Sequence, residues 1–136
     1  MHRFVCLALL ATAGCSGRLY TVAVTPSTAT PDLAYACVQE KLKELDYGRV
    51  RYDATERWIV SRRFDYSVKV SSGSFRRAFD LLDVRLHPDS TGATELEIQA
   101  HTYHQYELSR GQTDEEVSAS NRVKADAAAV AEACAR

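Results

Sequence analysis

No stretch of apolar residues in this 136-residue chain reaches the roughly 18 to 20 that a membrane-spanning helix needs. Nor is there an excess of one charge. Lys and Arg number 17 and Asp and Glu 18, a formal net charge of −1, so the chain lacks the electrostatic footprint of general nucleic-acid binding. Phosphate-cradling and nucleophile motifs are missing as well: there is no P-loop, no G-x-G-x-x-G and no G-x-S-x-G. Histidine is scarce. His101 and His104 lie three apart in what reads as a strand, where that spacing points them to opposite faces, and no Cys or carboxylate set completes a site around them. No metal site and no cofactor are expected. Asp and Glu are scattered over strand and helix surfaces with no pair set aside for acid–base work, which argues against an enzyme. What is present, 46% apolar and 26% charged residues without repeats or low-complexity tracts, is the composition of one ordinary globular domain.

Residues 1–14 read as a signal peptide rather than as structure. Arg3 precedes an apolar stretch from Phe4 to Ala11, and small residues then lead to a cysteine, Thr12-Ala13-Gly14-Cys15. At these residues the chain resembles a bacterial lipoprotein. Ala13, Gly14 and Cys15 match the lipobox of that family, while Thr12 stands where the family usually has Leu. The resemblance implies cleavage before Cys15 by signal peptidase II and a diacylglycerol on its thiol. It also implies a place in the cell envelope, and Ser16 in place of Asp after the Cys suggests the outer membrane facing the periplasm. Ala11-Thr12-Ala13 is also an A-x-A site, at which signal peptidase I would release a soluble protein. Cysteine parity weighs between the two. The four cysteines are Cys6, Cys15, Cys37 and Cys134, and Cys6 leaves with the signal. A free Cys15 would leave an odd thiol in an oxidising space, whereas a lipidated one leaves two that can pair.

After the signal, residues 15–30 hold the lipidated Cys, a short tether and a possible short strand at Leu19–Val24, and residues 31–136 make a single α+β domain. Thr30 as N-cap, Pro31 and Asp32 open a first helix that Gly48 closes, with Ala34, Val38, Leu42 and Leu45 on one face. The spacing predicts a last helix after a capping box at Thr113–Glu116, with Val123, Ala127, Val130 and Cys134 on one stripe. Between them the period is two. Strands are expected at Arg49–Ala54, from Arg57 to Phe64 or beyond, at Ala78–His87 and at Thr94–His104. The expected fold is therefore a four-stranded antiparallel β-meander with an N-terminal and a C-terminal helix packed on one face. Leu82, Val84 and Leu86 would pair with Leu96, Ile98 and Ala100 under the helices, joined by Val60 and Phe64.

Cys37 and Cys134 both sit on the apolar side of their helices, so a disulfide between them would pin the helices together over the sheet. The same strand parity sends Phe79, Leu81, His101 and Tyr103 to the face away from the helices, where Arg63, Arg77 and Arg85 would rim a contact surface. Charge is also uneven: residues 49–85 carry nine basic and five acidic side chains, residues 86–136 four basic and nine acidic. These pieces suggest a small cell-envelope lipoprotein, a non-enzymatic binding or assembly module. Its partners would be the membrane, through the lipid anchor, and another envelope protein. The alternative is an exported small-ligand-binding domain or enzyme with its site on the open sheet face.

Overall fold

The computed structural model describes residues 17–135. In chain order the elements are β1 (Thr21–Ser27), α1 (Pro31–Glu44), β2 (Gly48–Asp53), β3 (Trp58–Asp65), β4 (Phe75–Pro88), β5 (Thr94–Leu108), β6 (Gly111–Val117) and α2 (Asn121–Cys134). The class is α+β, and the sheet has six antiparallel strands in place of the expected four. The order is β1-β5-β4-β3-β2, with β6 also on β5. The long β4 and β5 form the spine. β4 occupies one edge of β5 throughout. On the other edge β1 pairs with the first half of β5 (Thr94 to Ala100) and β6 with the second half (Thr102 to Leu108).

The two extra strands have separate causes. β1 is the possible short strand expected in the tether before the domain, here running Thr21–Ser27 and fully paired within the sheet. β6 replaces the expected capping box: Thr113, Asp114, Glu115 and Glu116 lie opposite Tyr106, Gln105, His104 and Tyr103. The cap of α2 is instead Ser120, whose hydroxyl accepts from the Val123 N–H at 3.0 Å. A row of charged side chains is how an edge strand is protected from pairing with other chains, and it hides the strand from pattern reading.

α1 begins as the sequence implies, with the Thr30 hydroxyl accepting from Leu33 and Pro31 in the first turn. Its end differs. The chain turns at Asp46, with φ of 62°, and the Tyr47 N–H donates to the Leu42 carbonyl, so Gly48 opens β2 rather than closing the helix. Asp is one of the few side chains that tolerate this left-handed turn, and the turn drives Tyr47 into the core.

Both helices cover one face of the sheet. Ala34, Val38 and Leu42 of α1 and Val123, Ala127, Val130 and Cys134 of α2 are buried against Leu82, Val84, Leu86, Leu96, Ile98 and Ala100. Val60 and Phe64 do not join them. The β3–β4 register sets Ile59 opposite Val84 and Ser61 opposite Leu82, so the odd-numbered side chains of β3 face the helices. Val60 and Phe64 therefore lie on the other face. Cys37 and Cys134 form a disulfide with Cα atoms 5.6 Å apart, tying the middle of α1 to the end of α2.

Candidate contact surface

The sheet face away from the helices, the open face, carries rings in sequence across four strands. Tyr20, just before β1, stacks on His101 of β5 at 4.6 Å. His101 is followed by Tyr103 at 6.0 Å, Tyr103 by Phe79 of β4 at 5.2 Å, and Phe79 by Phe64 of β3 at 6.1 Å. Tyr66 extends the row beyond Phe64 at 6.0 Å. Register builds this ladder, because Phe64, Phe79, Tyr103 and Glu116 lie opposite one another in four consecutive strands. Cross-strand aromatic pairs of this kind contribute about 0.2 to 1 kcal/mol each. Leu81 lies between Arg62 and His101 in the adjoining row, half-buried.

Guanidinium groups cover much of the ladder. Arg77 stands 3.8 Å and Arg62 4.6 Å from the centroid of the Phe64 ring, and Arg62 is also 5.4 Å from Phe79. Arg18 lies over Tyr20 at the far end, 5.9 Å away. Phe79 is consequently only 3% exposed although it faces away from the helices. Arg85 and Arg51 flank Trp58 at 5.2 and 5.4 Å, and the Trp58 indole donates to Asp83 at 2.6 Å. The hydrogen bond to Asp83 raises the Arg85 pKa further. Burial, then the nearby Glu116 and Asp114, raise that of Tyr103.

Of the expected contact residues, Phe79, Leu81, His101, Tyr103, Arg77 and Arg85 share this face. Arg63 does not. It is opposite Asp80 on the helix side, where it pairs with Asp126 at 2.6 Å, donates to the Leu45 carbonyl at 2.7 Å and lies over Tyr47. Arg62 takes the place expected for it. The parity of β3 makes the exchange, and only the β3–β4 register reveals that parity. Phe64 on this face was missed for the same reason, and Tyr20, Val22 and Val24 because only the pairing of β1 with β5 brings them there. His101 and His104 lie on opposite faces, as strand spacing requires, and His101 Nδ1 is 2.7 Å from Glu116 Oε1. Among the described residues no group of three His, Cys, Asp or Glu side chains is placed to hold a metal. No helix among them is long and apolar enough to cross a membrane. No protein-family model matches the chain, and a search of curated proteins finds no match to it.

The two oppositely charged stretches of sequence meet across the sheet. Arg85 lies opposite Glu97 and Arg76 pairs with Glu107 at 2.6 Å. On the helix side the pairing is buried. Asp80, 2% exposed, accepts from Thr102 Oγ1 at 2.7 Å, Ser120 Oγ at 3.0 Å and Arg122 Nε at 2.7 Å, and Arg122 reaches Asp65 at 3.2 Å. Asp126 accepts from Arg63 and from the Tyr47 hydroxyl at 2.8 Å. These carboxylates are committed to holding α2 on the sheet. A concavity of about 330 Å³ opens on the same side, between α1 and β2–β3, and is lined by Leu42, Lys43, Tyr47, Arg49 and Ile59 among others.

Burial, and then the bond to Asp126, push the Tyr47 pKa well above its ordinary value. A raised folded-state pKa means stability that is complete below the unfolded value near 10 and lost as pH rises past it. Tyr47→Phe should therefore flatten the alkaline limb of the stability–pH curve. It should cost about 2 kcal/mol at neutral pH, the scale of a hydrogen bond to a charged group. Urea unfolding at pH 7 and pH 11 measures both, and an unchanged slope between them would show that Tyr47 ionises freely in the fold.

Proposed function

We propose that the protein is a small cell-envelope lipoprotein, a non-enzymatic binding or assembly module held to a membrane through Cys15, at the outer membrane facing the periplasm. Cys15 itself lies outside the described residues. The observation that carries this reading is the Cys37–Cys134 disulfide. Such a bond belongs to an oxidising compartment, and it leaves Cys15 as the one unpaired cysteine once Cys6 departs with the signal. The short lead-in supports an anchor as well. Leu19 is already fastened to the domain, its carbonyl accepting from the Ala119 N–H at 2.8 Å, so only Ser16, Gly17 and Arg18 separate it from Cys15. The non-enzymatic part rests on Asp80 and Asp126, whose carboxylates are taken up in buried ion pairs, and on an open face filled by rings. That face is the contact surface of this reading.

Mass spectrometry of the mature protein extracted from bacterial membranes tests it. The expected N-terminus is Cys15 carrying a diacylglyceryl thioether. Cys15→Ser should yield uncleaved precursor or a species cut after Ala13, in either case without lipid. A membrane-extracted wild-type protein that begins at an unmodified Gly14 would overturn the proposal.

A further inference from the structure

We infer that the open face of the sheet lies on the lipid surface that carries the anchor, with Arg62 and Arg77 receiving headgroup phosphate. This rests on the lipidation of Cys15 proposed above and names the partner of the same face. Cys15 is four Cα–Cα steps from the pinned Leu19, a reach of at most about 14 Å. The domain surface at Leu19 and Tyr20 is thus held close to the headgroups. Tyr20 belongs to the open face because its ring stacks on His101. Val22 and Val24 share that face, opposite Gln99 and Glu97, and are 40% and 54% exposed.

The groups laid out from this point suit a membrane interface. Tyr20 stands nearest the anchor, the exposed Val22 and Val24 lie beside it along β1, rings with polar tips follow at His101 and Tyr103, and guanidiniums stand at the ends of the row. Tyr and Trp at headgroup depth, with Arg reaching the phosphates, are what interfacial surfaces use. The charge pattern selects the site of phosphate contact. The carboxylates of this face are engaged: Glu116 with His101, Asp114 with Gln105, Asp83 with Trp58 and Arg85, Glu97 with Gln99 and His87, Glu95 with His87, and Asp53 with the backbone N–H groups of Thr55 and Glu56. Among the described residues neither Arg62 nor Arg77 has a carboxylate partner. Arg77 donates only to the Gln105 amide oxygen, and Arg62 has its two ring contacts. The two guanidiniums flank the Phe64 ring without a carboxylate partner, and each offers the planar N–H donors that a phosphate accepts from. A lipid anchor combined with a second, basic contact is also how a domain is kept on a membrane rather than merely beside it.

Arginine labelling with phenylglyoxal, read by mass spectrometry, tests the inference on the full lipidated protein in pure vesicles of phosphatidylcholine and phosphatidylglycerol. Arg49, on the helix side of the sheet, serves as internal reference. Relative to the Cys15→Ser chain in solution, Arg62 and Arg77 should label about five-fold more slowly, the factor one headgroup contact provides. In the anchored Arg62→Gln, Arg77→Gln double variant, Arg51, on the same face but far from the tether, should regain its solution rate. Equal labelling in vesicles and in solution would overturn the inference. So would protection seen in native membranes and absent from pure vesicles, which would assign the face to a protein partner. If mass spectrometry finds no lipid on Cys15, the proposed function fails separately. The surface is then decided by sedimentation of the mature chain with phosphatidylglycerol vesicles. Binding that the double variant weakens about thirty-fold upholds it, and no binding overturns it.

Discussion

Breaking the Cys37–Cys134 disulfide should lower the melting temperature by about 15 °C. The bond joins residues 97 apart in sequence, so reduction returns to the unfolded chain the freedom of a loop of that length. The chain-entropy estimate for such a loop is roughly 4 to 5 kcal/mol. In a domain of this size each kcal/mol is worth about 4 °C. The folded state loses little on reduction, because Cys134 is buried among Val123, Ala127 and Val130 and the helices keep their own contacts with the sheet. The Cys37→Ala, Cys134→Ala variant should therefore fold to the same structure and melt about as low as the reduced protein. Scanning calorimetry with and without reductant measures the difference. A shift under about 3 °C would mean that the unfolded chain is already compact around these helices.

Asp80→Ala is expected to be the most damaging single substitution, at about 3 to 4 kcal/mol. Asp80 is almost fully buried in β4 and is the point on which Thr102 of β5, Ser120 at the start of α2 and Arg122 within α2 converge. Removing one partner of a buried ion pair leaves the other uncompensated, which is why such losses exceed those of surface pairs. Arg122 retains Asp65 and partial access to water, which limits the penalty. Arg122→Ala should be damaging in turn, since it leaves a buried carboxylate with two hydroxyl donors. The double variant should cost clearly less than the two singles together, because the groups form one network. Urea denaturation of the three variants gives the cycle. Additive losses would show that Asp80 and Arg122 stabilise the protein independently.

Much of the fold was legible in the sequence, for local reasons. Thr30-Pro31-Asp32 specified the start of α1 through capping and the proline at its first turn. Alternation along residues 82–86 and 96–100 specified two neighbouring strands with one buried face, and the observed pairing of Val84 with Ile98 and Leu82 with Ala100 follows from matching those faces. The positions of Cys37 and Cys134 on the apolar sides of their helices implied the bridge between them. Each of these signals is carried by side chains within a few residues or by one face that must be covered.

Tertiary structure alone decided the rest. β6 is an acidic edge strand whose residues pattern as a helix cap, and it is a strand only because the second half of β5 offers it an open edge. The assignment of Arg62 and Arg63 to opposite sides depends on the β3–β4 register. A single-residue difference there exchanges an open-face arginine for one buried against Asp126. The row from Tyr20 to Phe64 joins residues from four parts of the chain. Parity along β4 and β5 places Phe79, His101 and Tyr103 on one face, but their continuation to Tyr20 and Phe64 arises from the order in which strands are placed side by side.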